Sequence, residues 1–319
     1  MGRCAVIGVV GRTNAGKSTV VNRLVGEKVS IVSPVEQTTR NTIRGIVADE
    51  RGQLVLNDTP GLHKAVGPLG RLLNGMARAS SAGVDVLLVV FDAAREPQLE
   101  DAGWMARVAR ERPEKVVFAL NKSDRRTFSE APFRELWEQT CAEEAERAAR
   151  RSAEKGEGAA PEAAPVPVWV STSAVRPDGC AALLDALFEL SPEGEPLFPE
   201  DIVTDYPRKL AIADTVREKF LSRLHDEVPH ELGIVVREID EARGAWNVAV
   251  DVYVNRPSQK GIVIGPGASN LKHVRRAAEP ELSEIFGVRV SLEMWVKVEP
   301  GWMKNSRLLG EMGYAGALR

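Results

Sequence analysis

Residues 11–18 read GRTNAGKS: Gly11, Arg12, Thr13, Asn14, Ala15, Gly16, Lys17 and Ser18. The spacing is G-x-x-x-x-G-K-[ST]. At ordinary glycine frequencies of ~7% it arises by chance in roughly one chain in a hundred of this size. Its position narrows the reading further. It follows the apolar run CAVIGVV and precedes a helical pattern over Ser18–Val25. In such a strand–loop–helix, glycines let backbone N–H groups close around phosphates, and the helix N-terminus adds partial positive charge. Lys17 would bridge a β- and a γ-phosphate. The Ser18 hydroxyl would ligate Mg²⁺, with Thr19 beside it.

Working outward, four more apolar runs end in polar clusters: QLVLND, VDVLLVVFD, KVVFALNKSD and VPVWVSTSA. Helical stretches separate them. Strands alternating with helices, each strand ending in polar residues, predict an α/β fold with a mostly parallel sheet and ligand loops at the strand C-termini. The first run ends at Asp58, followed by Thr59, Pro60 and Gly61. Asp58 is placed to hold Mg²⁺ through water, and the Gly61 N–H to meet a γ-phosphate. The run ending Asn121, Lys122, Ser123, Asp124 decides the base. The Asp124 carboxylate can accept from both N1–H and N2–H of guanine, a pattern adenine lacks. Asn121 would brace the loops, and the Lys122 stem would cover the base plane. After the last run, Ser173 and Ala174 (in Thr172-Ser173-Ala174) complete the pocket, with the Ala174 N–H reaching guanine O6. Between the helical pattern after the phosphate loop and QLVLND lies SPVEQTTRNTIRG. Thr39, with Thr38 second, is the candidate that closes over the nucleotide and ligates Mg²⁺ when a γ-phosphate is present.

Leu62 poses a question. Ras-type GTPases place a Gln at that position to orient the attacking water, and Leu can orient nothing. GRTNAGKST, QTTR, DTPGLH and NKSD in this order resemble the Era family of GTPases, which replaces that Gln with an apolar residue. The resemblance implies slow GTP hydrolysis by another arrangement. In related GTPases an Asn of the phosphate loop helps hold K⁺, and Asn14 occupies that place. The catalytic set implied is Asn14, Lys17, Thr39 and Gly61, with Ser18, Thr39 and Asp58 as metal ligands and GTP/GDP, Mg²⁺ and K⁺ as cofactors.

The 319 residues favour two domains. A net charge of −3 excludes a generally basic nucleic-acid protein, so contact with nucleic acid must be local. Cys4, Cys141 and Cys180 have neither disulfide nor metal spacing. No apolar run reaches a membrane span, and the chain enters a strand-like run at once, so a cytoplasmic protein is expected. Residues 1–190 read as the nucleotide domain. Within it, 141–165 is a helical then Gly/Ala/Pro-rich flexible insertion. Residues 191–206 (SPEGEPLFPEDIVTDY) read as a linker.

From 207 to 319 the pattern becomes α-β-β-α-α-β. IVIGPGASNLKHV resembles a KH signature. The RNA-contacting candidates are Gly265, Pro266, Gly267 and Ala268 of the turn, with Lys272 and Arg275 beside it in the basic cluster Lys272-His273-Arg275-Arg276. In a KH turn bare backbone lets about four nucleotides approach. Here the last glycine is replaced by Ala268, and Pro266 removes one N–H. From Val203 onward 17 basic residues face 16 acidic ones, so only that cluster is an electrostatic signal. Together with REKFLSRLHDEVPHELGIVV and LEMWVKVEPGW, the turn resembles the α+β, type II KH domain of the Era family. The resemblance implies binding to the 3′ end of small-subunit rRNA on the small ribosomal subunit, GTP-gated, by a monomer that makes peripheral contact with the inner face of the membrane; no DNA is expected. The alternatives are a GTP-binding RNA scaffold with negligible turnover, and a tRNA-modification or membrane-type GTPase. A P-loop kinase is disfavoured by NKSD.

Overall fold

The computed structural model describes residues 2–32, 40–61, 73–78, 83–155, 163–224, 228–242 and 244–314. Thr38, Thr39 and Leu62 lie outside the described residues. The chain divides into two compact units. One comprises Met1–Ser30, Thr42–His63 and Ala77–Thr204; the described residues of Ile31–Asn41 and Lys64–Met76 group instead with Asp205–Arg319.

The first unit is built on strands β1 (Arg3–Val10), β2 (Ile43–Asp49), β3 (Gly52–Asp58), β4 (Val86–Asp92), β5 (Val116–Asn121) and β6 (Val168–Ser171), in the order β2-β3-β1-β4-β5-β6. All neighbours pair in parallel except β2, which runs antiparallel to β3 at the edge. All seven residues of β4 are buried, as a strand covered on both faces requires. Its side chains divide by the period of two. Leu88 and Val90 face helices α1 (Lys17–Val25) and α4 (Ala181–Leu190), in a core with Val20, Val21, Leu24, Leu183 and Leu187. Leu87, Val89 and Phe91 face α2 (Leu99–Glu111) and α3 (Ala131–Lys155), packing with Trp104, Met105, Phe133 and Trp137. The result is a helix–sheet–helix sandwich whose parallel strands all end at one edge.

Helix α3 runs on to Lys155, so Cys141–Lys155 is its continuation, supported by Arg147–Glu143 at 3.0 Å and Arg150–Glu146 at 3.8 Å. Residues 156–162 of the expected flexible stretch lie outside the described residues. The stretch expected to be a linker, 191–206, is hydrogen-bonded to the first unit. Cys4 N–H donates to Pro192 O (2.9 Å), Ile46 N–H to Val203 O (2.8 Å), and Gln53 bonds both N–H and C=O of Phe198. The Ile46 bond partners the open edge of β2, whose backbone groups need partners.

In the second unit β7 (Gly233–Ala242) and β8 (Ala245–Val254) form an antiparallel hairpin, and β9 (Arg289–Val298) pairs parallel to β8. Helices α5 (Arg208–Leu221) and α7 (Ser269–Phe286) cover one face. Val248, Val250, Val252, Val290 and Leu292 meet Ile212, Val216, Phe220, Val274, Ala278 and Leu282 there. The expected α-β-β-α-α-β order is met through β9; a short helix over Ser306–Glu311, not expected, follows it. Ile262–Ile264 closes a separate helix, α6 (Pro257–Ile264). Pro257 at its first position and the Gln259 side chain, which accepts from Arg256 N–H at 2.9 Å, start that helix. Arg40 is fully buried within this unit and donates to Leu232 O (2.9 Å) and His230 O (2.8 Å). Asn41 donates to Tyr206 Oη (2.8 Å) and Met312 O (3.1 Å). No helix among the described residues is long and apolar enough to cross a membrane.

Candidate nucleotide site and candidate nucleic-acid interface

Strand register brings the predicted loops together. β1 lies between β3 and β4, and Val9 pairs Asp58 while Asp92 pairs Asn121. The loops after β1, β3, β5 and β6 therefore open at one edge, at the point where chain connections diverge to either side of β1.

Gly16, at φ 99°, ends the phosphate loop, and α1 begins with Lys17 directly after it. Lys17 is buried, and its Nζ donates to Arg12 O at 3.0 Å. Burial lowers its pKa to about 8, with the Asp58 carboxylate working the other way. Asp58 is also fully buried, and desolvation raises its pKa against the pull of Lys17. No hydrogen bond to either Asp58 oxygen meets strict geometry, but the Ser18 and Ser30 hydroxyls and the Thr59 N–H stand near enough to lower its pKa in part. A buried acid left this way beside a serine hydroxyl position is a hard-oxygen set that fits Mg²⁺. Thr59 is anchored through Oγ1 to Val9 O (2.8 Å). This places Gly61 so close to the loop that a Cβ there would meet Thr13 N at 2.7 Å and Lys17 Nζ at 2.8 Å.

The base end is equally tied. Asn121 Nδ2 donates to Ala15 O (3.0 Å), and its Oδ1 accepts from Ala174 N–H (3.3 Å). Asn121 therefore braces the phosphate loop against the loop after β6, and the Ala174 N–H expected for guanine O6 already has this longer partner. Asp124 accepts from Ser173 Oγ at 2.7 Å. That hydrogen bond, helped by Arg125, holds its carboxyl below the usual range, so it is an acceptor at neutral pH. Lys122 Nζ donates to Asn14 O (3.0 Å) and to Asp92 (2.7 Å). Asn14 and Lys122 both sit in the left-handed region, at φ 61° and 69°.

Two residues escaped the sequence reading. Asp92, 2% exposed, ends β4 and gathers Lys122 and, at 3.3 Å, the Arg12 guanidinium. Asp101 on α2, fully buried, holds Arg12 Nε at 3.1 Å and accepts the Gln98 N–H. Arg12 is thus spent on two carboxylates. The only sequence signal was the acidic residue closing an otherwise apolar strand.

In the second unit, Gly265–Ala268 forms the turn between α6 and α7, with Pro266 and Gly267 exposed. Lys272 Nζ donates to Gly267 O (3.0 Å), while Arg275 is paired with Glu279 (3.2 Å). Lys272, His273, Arg275 and Arg276 are all exposed. Glu279 Oε1 and Ser283 Oγ also accept from Leu292 and Val290 N–H, covering one end of the β9 edge. Ala268 sits at φ 61°, ψ 30°, a conformation that strains any residue with a Cβ by ~1–2 kcal/mol. Ala268→Gly is therefore expected to stabilise the chain by about 1 kcal/mol. A urea midpoint that stays put or falls would contradict the left-handed turn.

Comparison with known proteins agrees with this geometry. The family described as 50S ribosome-binding GTPase matches residues 6–122, and the KH domain family matches residues 227–303. The chain is 34% identical to GTPase Era of Rippkaea orientalis, over 97% of this chain and 91% of that one. It is 37% identical to GTPase Era of a Geobacter species, over 98% of each. Among solved structures, a variant of Aquifex aeolicus Era bound to GDP and AlF₄⁻ superposes with a TM-score of 0.82 at 30% identity, covering 98% of this chain and 99% of that one. An Era in complex with MgGDPNP and nucleotides 1506–1542 of 16S ribosomal RNA gives 0.81 at 29%, covering 99% and 100%. Matched over nearly its whole length at these identities, the chain belongs to the Era family of GTPases, with a P-loop GTPase domain followed by a KH domain.

Proposed function

We propose that this chain is a GTP-hydrolysing, RNA-binding factor that binds the 3′ end of small-subunit rRNA and serves small-subunit assembly, with GTP controlling its RNA affinity. The observation that carries the reading is the convergence of Lys17, Asp58, Asn121 and Asp124 at one sheet edge, in a chain that also bears a KH turn. The solved Era complex with 16S rRNA nucleotides supports the choice of RNA. Residues 1–190 are taken as the GTPase domain and 207–319 as the RNA-binding domain.

Phosphoryl transfer to water asks the protein mainly for positioning and charge stabilisation. The loop 11–18 holds the diphosphate through backbone N–H groups, and Lys17 meets the β,γ end. Asp124 fixes the purine. Ser18, Asp58 and Thr39 are the residues that would hold Mg²⁺, which when bound neutralises charge growing on phosphate oxygens. Asn14, whose carbonyl is pinned by Lys122, is the residue that would hold K⁺. Ordering of Thr39 and Gly61 by the γ-phosphate is the gate.

Two measurements test this. Crosslinking the RNA bound in cells and sequencing it is expected to enrich the small-subunit rRNA terminus; a uniform spread over unrelated RNA would remove the assembly role. Multiple-turnover phosphate release with Mg²⁺ is expected to be about tenfold faster in K⁺ than in Na⁺. Equal rates would remove Asn14 from catalysis, and no turnover in either salt would leave a GTP-binding scaffold.

A further inference from the structure

Asp92 is not part of the phosphate loop or of NKSD, yet the side chains of both converge on it. Its Oδ2 receives Lys122 Nζ at 2.7 Å and faces the Arg12 guanidinium at 3.3 Å. Its Oδ1 accepts the Ala94 N–H at 3.3 Å, which fixes the carboxylate at the strand end. The same Lys122 ammonium also donates to Asn14 O in the phosphate loop. Arg12 is also held by Asp101, to which its Nε donates at 3.1 Å. One carboxylate, 2% exposed, therefore stands between a lysine of the base loop and an arginine of the phosphate loop.

We propose that Asp92 is a positioning residue for the nucleotide, setting Lys122 in the orientation that guanine needs and joining the base loop to the phosphate loop. The inference rests on the nucleotide site described above and deepens it. A Lys stem carries four rotatable bonds and holds no fixed direction by itself. Two acceptors, the Asn14 carbonyl and the Asp92 carboxylate, fix it before any ligand arrives. Order present beforehand is order that binding need not impose. Charge-assisted hydrogen bonds of this kind are also about twice as strong as neutral ones. With the carboxylate replaced, Lys122 becomes mobile and the Asn14 turn loses its second restraint.

The test uses the full-length chain with Mg²⁺ and N-methylanthraniloyl-GDP, chased with excess GDP in a stopped-flow instrument. Asp92→Asn is expected to speed nucleotide release about tenfold, and Lys122→Met to do so by a similar factor. The double variant is expected to release no faster than the faster single one, because both remove the same restraint. Asp92→Glu, which keeps the charge, is expected to fall within about threefold of the parent chain; it also serves if Asp92→Asn does not fold. A purely structural Asp92 would give effects that multiply with those of Lys122→Met, and no recovery with Glu. Multiplying effects, or Asp92→Asn within twofold of the parent, would overturn the proposal. Failure of the parent chain itself to bind the probe would instead overturn the nucleotide site, and with it this arrangement.

Discussion

Asp124→Asn is expected to lower affinity for GDP and GTP by about 10⁴ and to create affinity for xanthosine diphosphate. The carboxylate is held ionised by Ser173 Oγ at 2.7 Å, with Arg125 at 3.4 Å. As an acceptor-only group it matches the two donors on the guanine edge. Asn presents an NH₂ where guanine N2 also donates, so two donors face each other and one is left unpaired. Xanthine carries an oxygen at that position and keeps N1–H, so the amide matches it with one bond each way. Isothermal titration with the two diphosphates reads both effects. A variant that keeps GDP affinity within tenfold of the parent would mean that Asp124 does not read the base.

Gly16→Ala is expected to cost roughly 2–5 kcal/mol in stability and a factor of about 10²–10³ in nucleotide affinity. Two effects add. Gly16 sits at φ 99°, outside the region that a residue with a Cβ adopts without strain. An added Cβ would also lie 2.3 Å from Asn121 Nδ2. That amide donates to Ala15 O and carries the brace between the phosphate loop and the loop after β6. The methyl cannot fit without displacing it. Thermal unfolding and GDP titration measure the two losses. An Ala variant that melts and binds as the parent does would show that Asn121 moves freely away, and that the brace has no energetic role.

The nucleotide loops were legible because each obeys a local rule. A glycine is needed where backbone must approach phosphate, and a strand must end before a ligand loop begins. Those rules placed the loop at 11–18, Asp58, NKSD and Thr172–Ala174 at strand ends, where the structure also has them. Strand β2 was missed because IRGIVAD is interrupted by Gly45 and follows a Thr-rich loop; it is a strand because β3 offers it an antiparallel edge. The left-handed conformation of Ala268 could not be anticipated either, since alanine carries no preference for it.

Sequence alone determined the α/β architecture, through apolar runs buried on both faces, and pointed to a guanine nucleotide through the carboxylate of Asp124. Periodicity likewise determined the order of elements after residue 207. Tertiary structure decided what is joined to what. It turned Arg12 toward Asp92 and Asp101, brought Asp92 to Lys122, and grouped the described residues of Ile31–Asn41 with the second unit, where the Arg40 guanidinium is met by backbone carbonyls. The division has a physical cause. Backbone conformation and burial are set by neighbours along the chain, and so leave a periodic trace. A buried charge is placed by partners far away in sequence, whose spacing carries no period.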